Sequence, residues 1–393
     1  MNQTTTTNPV LTRAEEIKEE LIAHRRYLHQ NPELGFDLPK TVAYVEGALK
    51  NMGLEPQKVG KAGLVVTIGN GKGKTLLLRG DMDALPIKEN TDLSFKSTNE
   101  YMHACGHDIH TTFMLGAAKL LKGKEKEING TVKIMFQPAE EIGAGAKDMV
   151  ANGLLENPKV DAALALHVDP GLDVGKFGYK PGIAASSLDG FFLEVQGKGG
   201  HSSEPQKAID PLMIINAVYT QLNSLVGKEI DPREMAVLVI GKMGGGTAAN
   251  IIPDTAHLDA TLRTFNPEVR EHLFKRIPEI IEATVKMMRG KYTLETLSTP
   301  SLFNNKELCE QIAPFVKEVV GEDHLEVNED PLSGTEDFSY ISNLVPTMFM
   351  WAGANGIGDR NYPLHNPNVV LDEGVIPLGV AVVVNSAINW LKK

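Results

Sequence analysis

Several residues that can bind a metal ion or transfer a proton follow short apolar runs of the sequence. In chain order they are Asp81, Asp83, Glu140, Glu141 and His167. In open α/β sheets, ligands bind beyond the carboxyl ends of the strands. We therefore expect these side chains to converge on one crevice if the apolar runs are buried strands.

More metal-binding side chains lie in the motif His103-Ala104-Cys105-Gly106-His107-Asp108-Ile109-His110, and His365 stands late in the chain. A single glycine separates Cys105 from His107, so both side chains can be presented to one centre. Thiolate, imidazole and carboxylate together are the donor set expected for zinc or a neighbouring transition metal. Taken singly, acidic residues also suit the first turn of a helix, and His167 also suits a hydrogen-bonded core position. The metal hypothesis depends on their joint occurrence at strand ends.

The elements that must position these residues are short strands and helices. We predict buried strands at 64–68, 76–78, 132–136 and 162–166, with a helix from His110 to Leu121 between two of them. Such alternation favours an α/β layer with a largely parallel sheet. A capping box formed by Thr12 and Glu15 predicts a first helix from about Arg13 to His29.

The pattern changes after about residue 186. The next elements are predicted as a strand, a helix, two strands, a helix and a strand, which is the split βαβ or ferredoxin-like order. Their ranges are 190–196, 205–226, 235–242, 256–264, 267–288 and 292–297. A mixed α/β pattern then returns, with predicted elements at 306–320, 335–341, 347–351 and 374–391. The predicted architecture is a three-layer α/β catalytic domain (1–185 and 299–393) interrupted by an inserted α+β domain (186–298).

Composition limits the classes of partner. The chain has 393 residues, of which 39 are basic and 50 acidic, so the net charge is −11 and a nucleic-acid partner is not expected. The N-terminus has neither a basic start nor an apolar stretch, and 374–391 is too short and too polar for a membrane span. The only cysteines are Cys105 and Cys309, which suits a reducing compartment. We therefore expect a cytoplasmic protein without a membrane partner, in which Cys309 is a small buried apolar residue.

Nearly the whole chain after the N-terminal tail resembles the dinuclear metallohydrolases that include aminoacylases, hippurate hydrolases and auxin–amino acid conjugate hydrolases. The resemblance is carried by an ordered set of motifs: 25–34 (RRYLHQNPEL), 79–86 (RGDMDALP), 103–110 (HACGHDIH), 136–141 (FQPAEE), 199–203 (GGHSS), 250–253 (NIIP), 333–338 (SGTEDF) and 364–366 (LHN). It implies a catalytic α/β domain with an inserted smaller domain that mediates dimerisation. The expected assembly is a homodimer or a higher homo-oligomer.

The resemblance also implies a metal site. The metal ligands of the hippurate hydrolase branch match Cys105, His107, Glu141, His167 and His365, and the catalytic base matches Glu140. More distant peptidases of the superfamily have His-x-Asp where this chain has Asp81-Met82-Asp83, and a bridging aspartate where it offers Cys105. The expected cofactors are two divalent ions, which could be zinc, manganese, cobalt or nickel.

The expected reaction is hydrolysis of the amide bond of an N-acyl-L-amino acid or short peptide by a metal-bound hydroxide. A bound metal can lower the pKa of water from about 15.7 towards about 7. Glu140 then serves as the general base and returns the proton to the departing amine. Asp83 is predicted to accept a hydrogen bond from a ligand imidazole.

Three further residues are assigned to the substrate. The resemblance implies that His201 stabilises the oxyanion, often in the site of the other subunit. Asn250 and Arg263 are candidates for holding the substrate carboxylate, because arginine offers a bidentate fork. Two alternatives stay open: a dipeptidase or carboxypeptidase of the same superfamily, and a non-catalytic, metal-stabilised binding protein.

Overall fold

The computed structural model describes residues 8–356 and 362–393. Its chain divides into two compact units. The first comprises the described residues up to Ala184, Phe303–Asp330 and those from Asp337 onward. The second comprises Ala185–Leu302 and Pro331–Glu336.

The elements are numbered in chain order. The α-helices of the described residues are α1 (Pro9–Glu16), α2 (Lys18–Gln30), α3 (Pro39–Asn51), α4 (His107–Gly123), α5 (Gly145–Ala151), α6 (Pro211–Glu229), α7 (Pro267–Met287), α8 (Lys306–Val320), α9 (Ser339–Ser342) and α10 (Val375–Trp390). The strands are β1 (Gln57–Val59), β2 (Gly63–Gly69), β3 (Thr75–Asp81), β4 (Thr131–Gln137), β5 (Ala162–Asp169), β6 (Phe177–Tyr179), β7 (Gly182–Ala185), β8 (Leu188–Gln196), β9 (Gly200–His201), β10 (Ala236–Gly245), β11 (Ile251–Ile252), β12 (Thr255–Thr264), β13 (Lys291–Thr299), β14 (Leu302–Asn304), β15 (Leu325–Val327) and β16 (Thr347–Gly353).

The first unit is built on a sheet of order β1-β2-β4-β3-β5-β16-β6-β15. The four central strands β4, β3, β5 and β16 run parallel to one another. On one side β1 and β2 pair antiparallel with their neighbours, and on the other β6 is antiparallel to β16 and parallel to β15. Every residue of β3 and β4 is buried. Burial on both faces explains why these strands appear in the sequence as continuous apolar runs. The predicted α/β class with a mostly parallel sheet is confirmed.

One face of this sheet packs on a helical layer. Alternate residues of the central strands, such as Leu78, Ile134 and Leu166, share a hydrophobic core with α4 and α10. The first turns of α4 are buried from His107 to Ala118. Burial of apolar surface on this scale is the main stabilising term of such a layer. It fixes the start of α4 beside the carboxyl ends of β3, β4 and β5.

Two local predictions for the N-terminal region were wrong. The predicted single helix from Arg13 to His29 is two helices, α1 and α2, and the true N-cap is Asn8. The Asn8 side chain accepts hydrogen bonds from the backbone N–H groups of Val10 and Leu11, so the first helix begins before Thr12. The sequence reasoning also missed α3.

The second unit confirms the predicted β-α-β-β-α-β order, as β8-α6-β10-β12-α7-β13. Its sheet has the order β10-β12-β8-β13 and is antiparallel. Both helices share one core with this sheet. The predicted helix 205–226 starts later, at Pro211, because Asp210 caps α6 by accepting hydrogen bonds from Leu212 N–H and Met213 N–H.

Two predictions for the later chain also need correction. The segment 331–336, counted above with the outer domain, belongs to the second unit, where Ser186 N–H donates to the carbonyl groups of Leu332 and Gly334. The predicted helix 335–341 is only the short α9, because the chain changes units at Asp337. In the part of the chain that the structure describes, we find no helix with the length and apolarity needed to cross a bilayer.

A buried lysine of β4 organises the loop after α5. The Lys133 ammonium group donates to the carbonyl groups of Leu154, Glu156 and Pro158 at 2.9, 2.7 and 3.1 Å. Because Lys133→Met would leave these carbonyl groups without that donor, we expect it to lower the free energy of unfolding by about 3 kcal/mol. Urea denaturation measures the loss. Lys126→Met, at a surface position, is the matched control, and equal stability of the two variants would contradict the prediction.

Candidate metal centre

The carboxyl ends of three adjacent parallel strands lie at one edge of the first unit's sheet. They bring Asp81 of β3, the Glu140–Glu141 turn after β4 and His167 of β5 to the same place. His107 begins α4 at this edge. The convergence expected for strand ends is therefore present in the structure.

Gly106 makes the turn between Cys105 and His107 possible. It has φ 84°, a left-handed conformation that glycine adopts without steric cost. A Cβ atom at this position would lie 2.4 Å from Val168 Cγ2 and 2.8 Å from Leu371 Cδ1. The tight packing of Gly106 thus directs both neighbouring side chains to one side of the α4 N-terminus.

The five predicted ligands form two groups of three that share Cys105. One group is Cys105, His107 and His167, and the other is Cys105, Glu141 and His365; within each group the potential ligand atoms lie within 4.8 Å of one another. The Cys105 Sγ atom is 3.5 Å from His167 Nε2 and 3.3 Å from His365 Nε2. A single thiolate at this position can therefore contribute to two cation sites.

A hydrogen bond and burial determine the protonation of two ligand imidazoles, those of His167 and His365. His167 Nδ1–H donates to the carbonyl group of Val168 at 2.8 Å, so Nε2 presents its lone pair towards Cys105. Burial lowers the pKa of His167 well below its ordinary value and also lowers the pKa of His365. Both rings are thus neutral at neutral pH, as metal ligation requires.

Buried polar atoms of this cluster fit a bound cation. Within the described residues, both ring nitrogens of His107 and Glu141 Oε1 are buried without a hydrogen-bond partner. Burial raises the pKa of Glu141 to about 7, and burial together with the charge of Glu141 raises the pKa of the Cys105 thiol well above its ordinary value. Buried groups in this state cost free energy that a cation would recover. The donor set therefore fits divalent transition metals.

Asp83 positions the two glutamates. Its carboxylate accepts hydrogen bonds from the backbone N–H groups of Glu140 and Glu141 at 3.0 and 3.2 Å, and Asp83 Oδ1 lies 3.5 Å from His107 Nδ1. Ala139 has φ 54°, a strained value for a residue with a Cβ atom. Glu140 Oε2 lies 3.9 Å from His107 Nε2. Glu140 Oε1 accepts a hydrogen bond from Asp337 N–H at 3.5 Å.

Asp81 and His110 were noted in the sequence without an assigned role, and the structure pairs them at the site. His110 Nδ1–H donates to Asp81 Oδ1 at 2.6 Å, and His110 Nε2 accepts from Val168 N–H at 2.9 Å. His110 thereby connects β3 to the residue that follows His167. The available signal was spacing, because His110 lies three residues after His107 and shares its face of α4.

The remaining predicted residues lie in the second unit. The pairing of β9 with β11 places Ile251 opposite His201, and Ser202 N–H donates to the Asn250 carbonyl group at 3.1 Å. His201 Nδ1 accepts from Ser203 N–H at 3.2 Å, so the neutral ring carries its proton on Nε2. Arg263 Nη1 donates to the Ser333 carbonyl group at 3.2 Å and to Thr335 Oγ1 at 2.9 Å. His201 and Asn250 are thus brought together, and Arg263 lies against the segment 331–336.

Comparison with known proteins agrees with this geometry. A family model described as peptidase family M20/M25/M40 matches residues 77–389. The chain belongs to this family. The M20 chain is 35% identical to an N-acetyl-L-cysteine deacetylase of Bacillus subtilis over 95% of its own length and 90% of the relative's. It is 34% identical to a hippurate hydrolase of Campylobacter jejuni, with 96% and 98% covered.

A solved structure supports both the M20 fold and the metal hypothesis. A Bacillus subtilis protein described as a dinuclear metal-binding peptidase of the M20 family superposes with a TM-score of 0.80 at 30% identity. The superposition covers 96% of this chain and 99% of that one. The predicted resemblance to the dinuclear metallohydrolases is therefore confirmed, and this M20 protein is a member of a hydrolase family.

Proposed function

We propose that this M20 protein is a dinuclear metal-dependent amidohydrolase that cleaves N-acyl-L-amino acids into a carboxylate and an amino acid. One observation carries the proposal: two ligand groups share Cys105, and Glu140, with an oxygen within 4.8 Å of potential ligand atoms of His107 and Glu141, adds a carboxylate beyond the five ligands. A closed structural metal site needs only four protein ligands and no spare base. The five ligands and the additional carboxylate of Glu140 therefore support an enzyme over a metal-stabilised binding protein.

The proposed cofactors are two divalent ions per chain, held by Cys105, His107, Glu141, His167 and His365. Zinc, manganese, cobalt and nickel all accept imidazole and carboxylate ligands. When bound, such ions supply Lewis acidity and lower the pKa of water. The surrounding residues keep the ligands in place: Asp83 holds the Glu140–Glu141 turn, and His110 holds the backbone after His167.

The proposed role of Glu140 is proton transfer. Its carboxylate takes the proton from the attacking water and delivers it to the amine as the amide bond breaks. The hydrogen bond from Asp337 N–H orients this carboxylate, and its distance of 3.9 Å from His107 Nε2 places it beside the ligand groups. Glu140 can therefore act on a molecule held between the ligands.

The proposed substrate contacts lie in the second unit. His201, with its proton on Nε2, is a donor for the oxyanion, and Asn250 and Arg263 are proposed to hold the substrate carboxylate. The activities for which the relatives are named, deacetylation of N-acetyl-L-cysteine and hydrolysis of hippurate, support an N-acyl-amino acid. A homodimer formed through the second unit is also proposed, and sedimentation velocity tests it directly.

Metal removal tests the proposed function. We expect purified protein to contain close to two metal ions per chain and to lose hydrolysis of N-acetyl- and N-benzoyl-amino acids after chelation. Added Zn²⁺, Mn²⁺, Co²⁺ or Ni²⁺ should restore it, because the ligand set suits all four. Mass spectrometry of the metals and a colorimetric assay of the released amine measure both effects.

A substrate panel separates the alternatives. Dipeptides and carboxypeptidase substrates are assayed beside the acyl-amino acids under the same conditions. Faster turnover of peptides than of acyl-amino acids would favour the dipeptidase or carboxypeptidase hypothesis. Metal-dependent stabilisation without turnover of any substrate would overturn the proposed enzyme and support a binding protein.

A further inference from the structure

A buried group of charged residues connects α2 to the start of α4. Arg25 and His29 of α2 both face Asp108, the residue after His107. Arg25 Nε–H and His29 Nδ1–H each donate to Asp108 Oδ2 at 2.9 Å. All three side chains are buried. The position of the His107 turn is therefore tied to α2 by two charge-assisted hydrogen bonds.

The second ring nitrogen of His29 holds a different part of the chain. His29 Nε2–H donates to Glu89 Oε1 at 3.2 Å, and the Glu89 side chain is only 2% exposed. Glu89 lies in the segment 82–106, which runs between β3 and α4 as loops and turns. Its other oxygen accepts from Ser97 N–H at 2.6 Å. His29 thus bridges two carboxylates of separate segments.

Together, these two hydrogen bonds require His29 to carry a proton on both ring nitrogens. Burial lowers the pKa of His29, but its hydrogen bonds to Asp108 and Glu89 outweigh burial and raise the pKa above its ordinary value. The imidazolium pairs with Asp108 and Glu89, and the Arg25 guanidinium pairs with Asp108 and Glu373. Removing one member of a buried group of paired charges is costly, because it leaves another charge buried without its partner.

Asn90, next to Glu89, extends the connection to the turn that follows His365. Asn90 N–H donates to the Pro367 carbonyl group at 2.8 Å, and Asn90 Nδ2 donates to Asn368 Oδ1 at 2.8 Å. His365 itself has φ 63°, a strained conformation that its surroundings must maintain. The chain His29, Glu89, Asn90 therefore reaches a second ligand-bearing turn.

We propose that His29 is a positioning residue of the metal centre, which holds the His107 turn through Asp108 and the His365 turn through Glu89 and Asn90. The two turns carry ligands of the two groups that share Cys105. Partners that orient metal ligands typically contribute about 10- to 100-fold to metal affinity. This role rests on the proposed dinuclear centre and adds a residue that touches neither metal nor substrate.

Two substitutions separate the arms of the His29 bridge. In His29→Asn the amide nitrogen takes a position similar to Nδ1, so the bond to Asp108 is retained and the bond to Glu89 is lost. In His29→Gln the amide nitrogen takes a position similar to Nε2, so the reverse holds. His24→Asn is the matched control, because His24 lies on the same helix and bonds to the Tyr44 hydroxyl group at 2.9 Å.

The measurement is titration of the metal-free, full-length proteins with Co²⁺. Its readouts are the two dissociation constants and the near-ultraviolet thiolate-to-cobalt absorption band of Cys105. We expect each His29 variant to weaken one of the two Co²⁺ sites by about 10- to 100-fold and to shift the thiolate band. The control should stay within twofold of the unsubstituted protein at both sites.

The outcomes separate this role from the proposed function. Unchanged affinities and an unchanged band in both folded His29 variants would overturn the positioning role while the dinuclear centre stands. If the unsubstituted protein bound fewer than two Co²⁺ ions, both would fall. Should the His29 variants not fold, Asn90→Ala, at an exposed position, tests the arm that reaches the His365 turn, because it removes the bond to Asn368. Wild-type Co²⁺ affinity in that variant overturns the role of this arm.

Discussion

Glu140→Gln is expected to lower kcat for N-acyl-amino acid hydrolysis by about 10²- to 10⁴-fold while the protein keeps both metal ions. The amide cannot accept the proton of the attacking water at neutral pH. Its carbonyl oxygen can still accept the hydrogen bond that Asp337 N–H makes to Glu140 Oε1. The substitution therefore removes the base and leaves the local structure in place.

The neighbouring residue provides the matched comparison for this prediction. Glu141→Gln changes a proposed ligand in the same turn, so we expect it to lose metal as well as activity. Steady-state kinetics and metal analysis of both variants distinguish the two roles. Full activity of Glu140→Gln, or equal metal loss in both variants, would contradict the assignment of Glu140 as the base.

Cys105→Ser is expected to have the largest effect on the metal centre, because Cys105 is the one residue common to both ligand groups. A serine hydroxyl is a poor substitute for a thiolate that contacts two imidazoles at 3.5 and 3.3 Å. We expect both metal affinities to fall by at least about 100-fold and hydrolysis to fall with them. A single oxidation at this thiol should release metal in the same way.

Cys309→Ser is the control for this prediction. Cys309 is buried in α8 within the hydrophobic core, and burial raises the pKa of its thiol to about 12. We expect its replacement to leave metal content and turnover unchanged. Metal analysis before and after mild peroxide treatment measures both cysteines together. Retention of two tightly bound ions by Cys105→Ser would show that the thiolate is not shared.

The strands that carry the site were predictable because strands buried on both faces appear in the sequence as continuous apolar runs. The predicted strand 76–78 is the middle of β3, and 132–136 lies within β4. The helix boundaries at α1, α6 and α9 were less predictable. Each depends on a cap or a change of unit, as Asn8 and Asp210 show.

The residues of the candidate site also divide into those that the sequence predicted and those that it did not. Residue type and strand-end position indicated a metal site, and the family resemblance selected Cys105, His107, Glu141, His167 and His365 as its ligands. The structure places these five in two groups that share Cys105. Asp83 was predicted as a supporting residue, but the contacts around His29 were not predictable. Asp108 and Glu89 meet His29 from segments about 60 to 80 positions away, and no local pattern encodes such a contact.

The sequence by itself determined the α/β class, the ferredoxin-like order of the second unit and the chemical types of the ligands, because these depend on periodicity and on neighbouring residues. Only the tertiary structure decided that Cys105 belongs to two ligand groups and that His29 of α2 contacts Asp108, the residue after His107. Both facts follow from packing, which brings the turns at 105, 141 and 365 to one edge of a sheet. Distances between remote segments are set by the whole core, so they appear only in the folded chain.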